Sequence, residues 1–189
     1  MDQNGQTLDY FSQPYSTNRF DGVLVEQNPQ DWVDAIDSAL AKLGPLIPNV
    51  AAIGLCSQVN THVFIDQHGT VLEPAIVWQD GRAHEEAAEL DAKISESQRI
   101  AWWGAPMPID ASHALSRMLW VARNRPDVWD RTAWVMLPKD FCIFKLTGEV
   151  ATDALSNIGL VDQHLKYIPE VLDLVPGSSE KLGPLHGIT

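Results

Sequence analysis

Val50-Ala51-Ala52-Ile53-Gly54-Leu55-Cys56 is an almost wholly apolar run with one interior glycine, and polar Ser57-Gln58-Val59-Asn60 follows at once. A short apolar segment of this kind reads as a strand covered on both faces, the pattern of a parallel or mixed sheet with helices on each side. Upstream, Asn28 can cap a helix with Pro29 at its first position, and Trp32, Val33, Ile36, Leu40 and Leu43 recur at helical spacing until Gly44-Pro45. Downstream, residues 63–66 and 71–78 flank the turn former Asp66-Gln67-His68-Gly69, which predicts a hairpin and a strand ending at Trp78. Asp80 then stands where a helix cap belongs, ahead of the apolar stripe Ala83, Ala87, Leu90 and Ile94. Further helices are predicted over 95–102, 114–123 and 139–146, with a strand over 132–137. Strands alternating with helices make the chain α/β.

The two ends read differently. Asp2-Gln3-Asn4-Gly5 is a turn signal, and Leu8 and Tyr10 suggest a strand over 6–15. A hairpin turn with no strand before it implies entry after the start of the fold. Residues 176–189 are rich in Gly, Pro and Ser and read as a linker toward a further domain, leaving 1–175 as one unit.

Composition narrows the function classes. The chain has 189 residues, 45% hydrophobic and 20% charged, as in an ordinary globular protein with a real core. Thirteen Lys and Arg against 25 Asp and Glu give a net charge of −12. Such a chain is repelled by a phosphate backbone and by an anionic membrane surface, which excludes nucleic acid and membrane partners. Cys56 and Cys142, far apart in apolar neighbourhoods, suggest core packing rather than a disulfide or a thiolate metal site, consistent with the reducing cytoplasm. No apolar run approaches about 18 residues, and the N-terminus lacks a secretion signal.

Common catalytic signatures are missing. His84-Glu85 opens like a zinc-protease helix, but Ala88 stands where the second histidine is required. There is no Walker loop, no dinucleotide glycine fingerprint and no Gly-x-Ser-x-Gly elbow. Two polar clusters remain, both at the carboxyl ends of expected strands, where open α/β sheets bind ligands. In Gln58-Val59-Asn60, two carboxamides offer both donors and acceptors, which suits a polyhydroxylated ligand; equally, they can satisfy their own loop backbone. In Trp78, Asp80 and Arg82, an indole face can cover the apolar side of a sugar ring while carboxylate and guanidinium bind hydroxyls. The alternative is Asp80 as a helix cap and Arg82 paired with Glu85 or Glu86.

These residues, taken in order, resemble a known family. Glu26-Gln27-Asn28-Pro29 with Trp32, then Ala52-Ile53-Gly54 leading to Gln58, then Ile76-Val77-Trp78-Gln79-Asp80-Gly81-Arg82 are similar to the N-terminal domain of the FGGY carbohydrate kinases, nearest the xylulokinase branch. Met118-Leu119-Trp120-Val121, Leu137-Pro138-Lys139-Asp140-Phe141, Leu146-Thr147-Gly148-Glu149 and Ala151-Thr152-Asp153, with Ser156 and Gly159, extend the resemblance over nearly the whole chain. It implies a ribonuclease H-like, actin/hexokinase-type α/β domain and transfer of the γ-phosphoryl of ATP, with Mg2+, to a ketopentose such as xylulose or a related polyol. Val59 and Asn60 stand where xylulokinases place a Met-His pair against the sugar, and Trp78, Asp80 and Arg82 match the family's Trp-x-Asp-x-Arg element. Met107 and His113 lie where related kinases wrap the pocket. All the substrate-binding candidates, Gln58, Val59, Asn60, Trp78, Asp80 and Arg82, are thereby expected to converge on one sugar.

The departures carry information as well. Asn60 offers a short neutral amide where the family has a titratable ring, so the hydroxyl pattern it reads differs; His62, two residues on, is expected to point elsewhere. Arg117 replaces the lysine that usually precedes the family's tryptophan, here Trp120. The family's first two strands, with their Asp-x-Gly-Thr phosphate loop, and its second domain, with the aspartate base and adenosine pocket, are expected to lie outside this sequence. The chain would then supply the sugar-binding lobe, with no catalytic or metal-binding residue and no ATP bound on its own. Without the central strands an isolated chain is expected to be marginal or aggregation-prone, with homo-oligomerisation as the other outlet. A non-catalytic sugar-binding or assembly module that kept the kinase fold is the competing reading.

Overall fold

Val63, Phe64 and Ile65 form β3 (Val63–Ile65), and all three are fully buried. Successive side chains of a strand leave from opposite faces. Phe64 accordingly joins one apolar cluster, with Ile76, Leu90, Met118 and Val121, while Val63 and Ile65 join another, with Trp32, Met136, Phe141 and Cys142. β3 is therefore the doubly covered strand of a three-layer α–β–α arrangement in this computed structural model, which describes residues 1–186.

The first layer contains α1 (Pro29–Lys42) and α6 (Pro138–Thr147), which pack together. Asn28 caps α1 by accepting from the Gln30 amide at 3.1 Å, as its sequence position predicts. On the opposite face lie α2 (His84–Asp91), α4 (Ala114–Asn124) and α5 (Pro126–Arg131). The short α3 (Glu96–Trp103) starts with a reciprocal capping box between Ser95 and Gln98. Between the layers, β3 pairs antiparallel with β5 (Trp134–Met136). β4 (Ala75–Ile76) pairs with β2 (Leu24–Gln27), which pairs in turn with β1 (Asn18–Phe20). Among the described residues no helix is long and apolar enough to cross a membrane.

Several expectations need correction. Residues 50–56 form no strand: no described strand pairs with them, and Val50 and Ile53 are exposed. Apolar content reports a demand for cover, which a strand also needs ladder partners to meet. Cys56 is consequently exposed, whereas Cys142 is buried and its thiol is pushed up to about 11 by burial. Residues 6–15 are likewise not a strand, although the turn before them forms, with the Gly5 amide donating to the Asp2 carbonyl at 3.1 Å. The N-terminal hairpin lies later, at β1–β2, where Asp21 (φ 49°) and Gly22 (φ 73°) both adopt the left-handed geometry that hairpin turns favour. The Asp-Gly pair was its signal, and Pro126 was that of α5. Asp80 caps nothing: α2 begins after Ala83, without a side-chain cap.

The segment read as a linker is docked through His186. β7 (Leu185–His186) runs parallel to β6 (Thr152–Asp153), Ser178 is buried, and Lys181 Nζ donates to the Thr132 carbonyl at 2.6 Å. Residues 187–189 of the expected linker lie outside the described residues.

Candidate functional site

Two loops leave the sheet side by side, 57–61 before β3 and 77–82 after β4. They are tied where His62 and Ile76 exchange backbone bonds of 3.1 and 3.0 Å, and where the Trp78 amide donates to Thr61 Oγ1 at 3.1 Å. From beneath, the fully buried guanidinium of Arg117 on α4 donates through Nη1 to the carbonyls of Asn60 and Ile76 and through Nη2 to that of Val77. It also faces His62 Nδ1 at 3.1 Å. Burial, reinforced by Arg117 and His113, holds the His62 pKa well below its ordinary value, and burial draws Arg117 down to about 10.

Asp80 has a different task from the one its motif suggests. Its buried carboxylate accepts four bonds, from the Val25 amide at 2.5 Å and from the Arg82 amide, Nε and Nη2 at 2.9, 2.8 and 2.8 Å. A carboxylate offers about four lone-pair positions, and these are all taken, so Asp80 braces β2 and Arg82 rather than meeting a ligand. Arg82 also pairs with Glu26 at 2.7 Å and lies 5.0 Å from the Trp120 ring centroid. Its partners are thus Asp80 and Glu26, not the Glu85 or Glu86 considered from spacing.

Gln58 is held elsewhere. Its Nε2 donates to Gln27 Oε1 at 2.7 Å, and it lines a cleft of about 270 Å³ beside Trp32, Ser57, Lys139 and Cys142. Glu26 and Gln27 are consecutive on β2, so their side chains leave from opposite faces. Arg82, on Glu26, and Gln58, on Gln27, therefore do not share one pocket. At the cleft, Lys139 Nζ is neutralised by Asp140 at 2.5 Å and Asp153 at 2.7 Å, and Asp140 accepts from Thr152 Oγ1 at 2.7 Å. This polar cluster was not among the expected site residues, although Lys139-Asp140 and Thr152-Asp153 both stand in the motifs that carry the family resemblance.

Val59 and Asn60 lie on the first of the two loops and Trp78 on the second. Val59 is 53% and Trp78 52% exposed. Asn60 has φ 53°, a left-handed conformation that asparagine tolerates better than most residues. Its Nδ2 donates to Ser112 Oγ at 3.1 Å, which joins the loop to the turn leading into α4. His113 caps α4 by accepting at Nδ1 from the Leu115 amide at 3.2 Å, and burial pushes its pKa down to about 4. Met107 offers its backbone carbonyl to Arg99. Gly159 backs His113 so closely that a Cβ there would fall 2.2 Å from His113 Nε2.

Residues 1–187 match the family model for the N-terminal domain of the FGGY family of carbohydrate kinases. The chain is 30% identical over 161 residues to the xylulose kinase of Escherichia coli (strain K12), covering 84% of this chain and 32% of that relative. Among solved structures, a xyloylose kinase from Brucella ovis matches with a TM-score of 0.81 at 28% identity, over 91% of this chain and 36% of that one. A gluconate kinase from Lactobacillus acidophilus matches with a TM-score of 0.86 at 23% identity, over 98% and 38%, and speaks to the fold alone. The chain spans about a third of the length of the curated relatives it matches.

Proposed function

The chain belongs to the FGGY family of carbohydrate kinases, and on that premise we propose that it supplies the sugar-binding surface for ATP-dependent phosphorylation of a ketopentose of the xylulose type. Its fold is the actin/hexokinase-type α/β fold of the kinases it superposes on. The observation that carries the reading is the setting of Asn60: its backbone carbonyl is held by Arg117, its amide nitrogen by Ser112, and half-exposed Trp78 is tied to the next residue, Thr61. A fixed amide can bind a sugar hydroxyl, and an exposed indole face can cover the C–H side of the ring.

The proposed ligand-facing residues are Val59, Asn60 and Trp78, with Arg82 held alongside by Asp80 and Glu26. Gln58 serves the neighbouring cleft. Because phosphoryl transfer rests on positioning and charge stabilisation, the contribution of this chain is positioning: it orients the acceptor sugar. Among the described residues no group of three or more His, Cys, Asp or Glu side chains is placed to hold a metal ion. The nearest test is titration of the 15N-labelled chain with D-xylulose, D-ribulose, glycerol and gluconate. Shifts of the Asn60 side-chain and Trp78 indole signals with D-xylulose are expected, without ATP turnover. Shifts confined to residues around Lys139 and Gln58 would move the sugar site to the cleft, and no shift with any of the four would remove the sugar-binding reading.

A further inference from the structure

We propose that Asp110 and Ser112 are positioning residues that set the side-chain amide of Asn60 so that its Oδ1 is presented as an acceptor to a ligand hydroxyl. The inference rests on the sugar-binding reading above and specifies what that site recognises.

The direction of each bond in the chain Asp110–Ser112–Asn60 is forced. Ser112 Oγ lies 2.7 Å from Asp110 Oδ1 and 3.1 Å from Asn60 Nδ2. A hydroxyl has one hydrogen, and an ionised carboxylate can only accept, so that hydrogen goes to Asp110. Ser112 Oγ then has only lone pairs to offer Asn60. The amide must turn its nitrogen toward Ser112, and the reverse orientation would set oxygen against oxygen. Among the described residues Asn60 Oδ1 has no partner, so the acceptor is what remains for a ligand.

The anchor itself is rigid. Asp110 Oδ1 also accepts from the Ser112 amide at 2.8 Å, and the Asp110 carbonyl accepts from Ser116 Oγ at 2.8 Å and from the His113 amide at 3.1 Å. At the other end Arg117 holds the Asn60 carbonyl. With backbone and amide both fixed, the site cannot adapt by flipping the amide. It selects a hydroxyl that donates and rejects a carbonyl or ether oxygen at the same place, because an acceptor facing an acceptor leaves both unpaired.

The test measures D-xylulose affinity by NMR titration of wild type, Ser112→Ala, Ser112→Thr, Asp110→Ala and Asn60→Ala, with thermal melts as a check on folding. Ser112→Ala and Asp110→Ala are expected to weaken binding about five- to tenfold, the range of one hydrogen bond, while Ser112→Thr stays within about twofold because it keeps the hydroxyl. A series of singly deoxygenated analogues separates this role from a purely structural one. Wild type should discriminate against the one analogue lacking the hydroxyl read by Asn60, and Ser112→Ala should lose that discrimination. If Ser112→Ala does not fold, Asp110→Ala carries the same comparison. Wild-type affinity and discrimination in both relay variants, with weakened binding in Asn60→Ala, would overturn the relay and leave the sugar site standing. Unchanged binding in Asn60→Ala, or no binding by wild type, would overturn the site reading and the relay with it.

Discussion

Arg117 donates to the backbone carbonyl of Asn60 across a sequence separation of 57 residues, from a guanidinium with no exposed surface. The same group takes the carbonyls of Ile76 and Val77, so one side chain fastens both loops of the candidate site to α4. Arg117→Met would leave the Asn60 carbonyl without a donor, at about 1–3 kcal/mol, while the carbonyls of Ile76 and Val77 keep the His62 and Asp80 amides as donors. The expected loss is about 1–3 kcal/mol by urea denaturation, with Arg117→Lys intermediate because a point-like ammonium cannot span all three carbonyls. An Arg117→Met chain as stable as wild type would show that the loops hold together without it.

The layering makes a second prediction that sets two segments against each other. Phe64→Ala opens a cavity in the larger apolar cluster and should cost about 3–5 kcal/mol, whereas Ile53→Ala, on an exposed residue, should stay within about 0.5 kcal/mol. Equal costs at the two positions would restore residues 50–56 as a covered strand.

That contrast also shows what the sequence made legible. Helices were readable because capping and periodicity are local: Asn28 with Pro29, and Ser95 with Gln98, mark their starts by bonds made within a few residues. Strands were not, because a ladder depends on partners far along the chain. Residues 50–56 carry the composition of a buried strand without a described partner, whereas β3 is shorter and less conspicuous and pairs with β5, some seventy residues on. The site divides the same way. Its residue types were evident, but the use of Asp80 depended on a backbone amide 55 positions away at Val25, and the separation of Gln58 from Arg82 on the alternation of β2. Ser112 and Asp110 gave no signal, since a serine and an aspartate before a helix read as capping residues.

The saturated carboxylate of Asp80 separates bracing from recognition. Asp80→Asn keeps the shape but loses the charge that balances Arg82, and a buried pair broken from one side costs about 3 kcal/mol or more. The stability loss should appear in denaturant, while the folded variant retains D-xylulose affinity within about twofold, less than the contribution of one lost hydrogen bond. A large affinity loss at unchanged stability would make Asp80 a ligand contact after all.

Acid should loosen the site before it reaches the carboxylates. His113 is buried and neutral, with its pKa pushed from the ordinary 6.5 down to about 4 by burial and by the Arg117 charge, against the opposing pull of Asp110 and the Gly159 backbone. A base whose pKa is depressed on folding binds more protons when unfolded, so its stabilising contribution is complete above the unfolded pKa and is lost as pH falls from about 6.5 toward 4. The full effect is on the order of 3 kcal/mol, and His62 adds to it in the same direction. His113→Asn keeps a capping acceptor for the Leu115 amide and removes the titration, so its stability should fall less steeply across that window. Gly159→Ala tests the same contact sterically: a Cβ would meet the ring at 2.2 Å, at a backbone φ of 88° that already disfavours any side chain. Urea titrations at pH 7 and pH 5 on the three proteins check both. Parallel pH slopes for wild type and His113→Asn would exclude His113 as the acid-sensitive element.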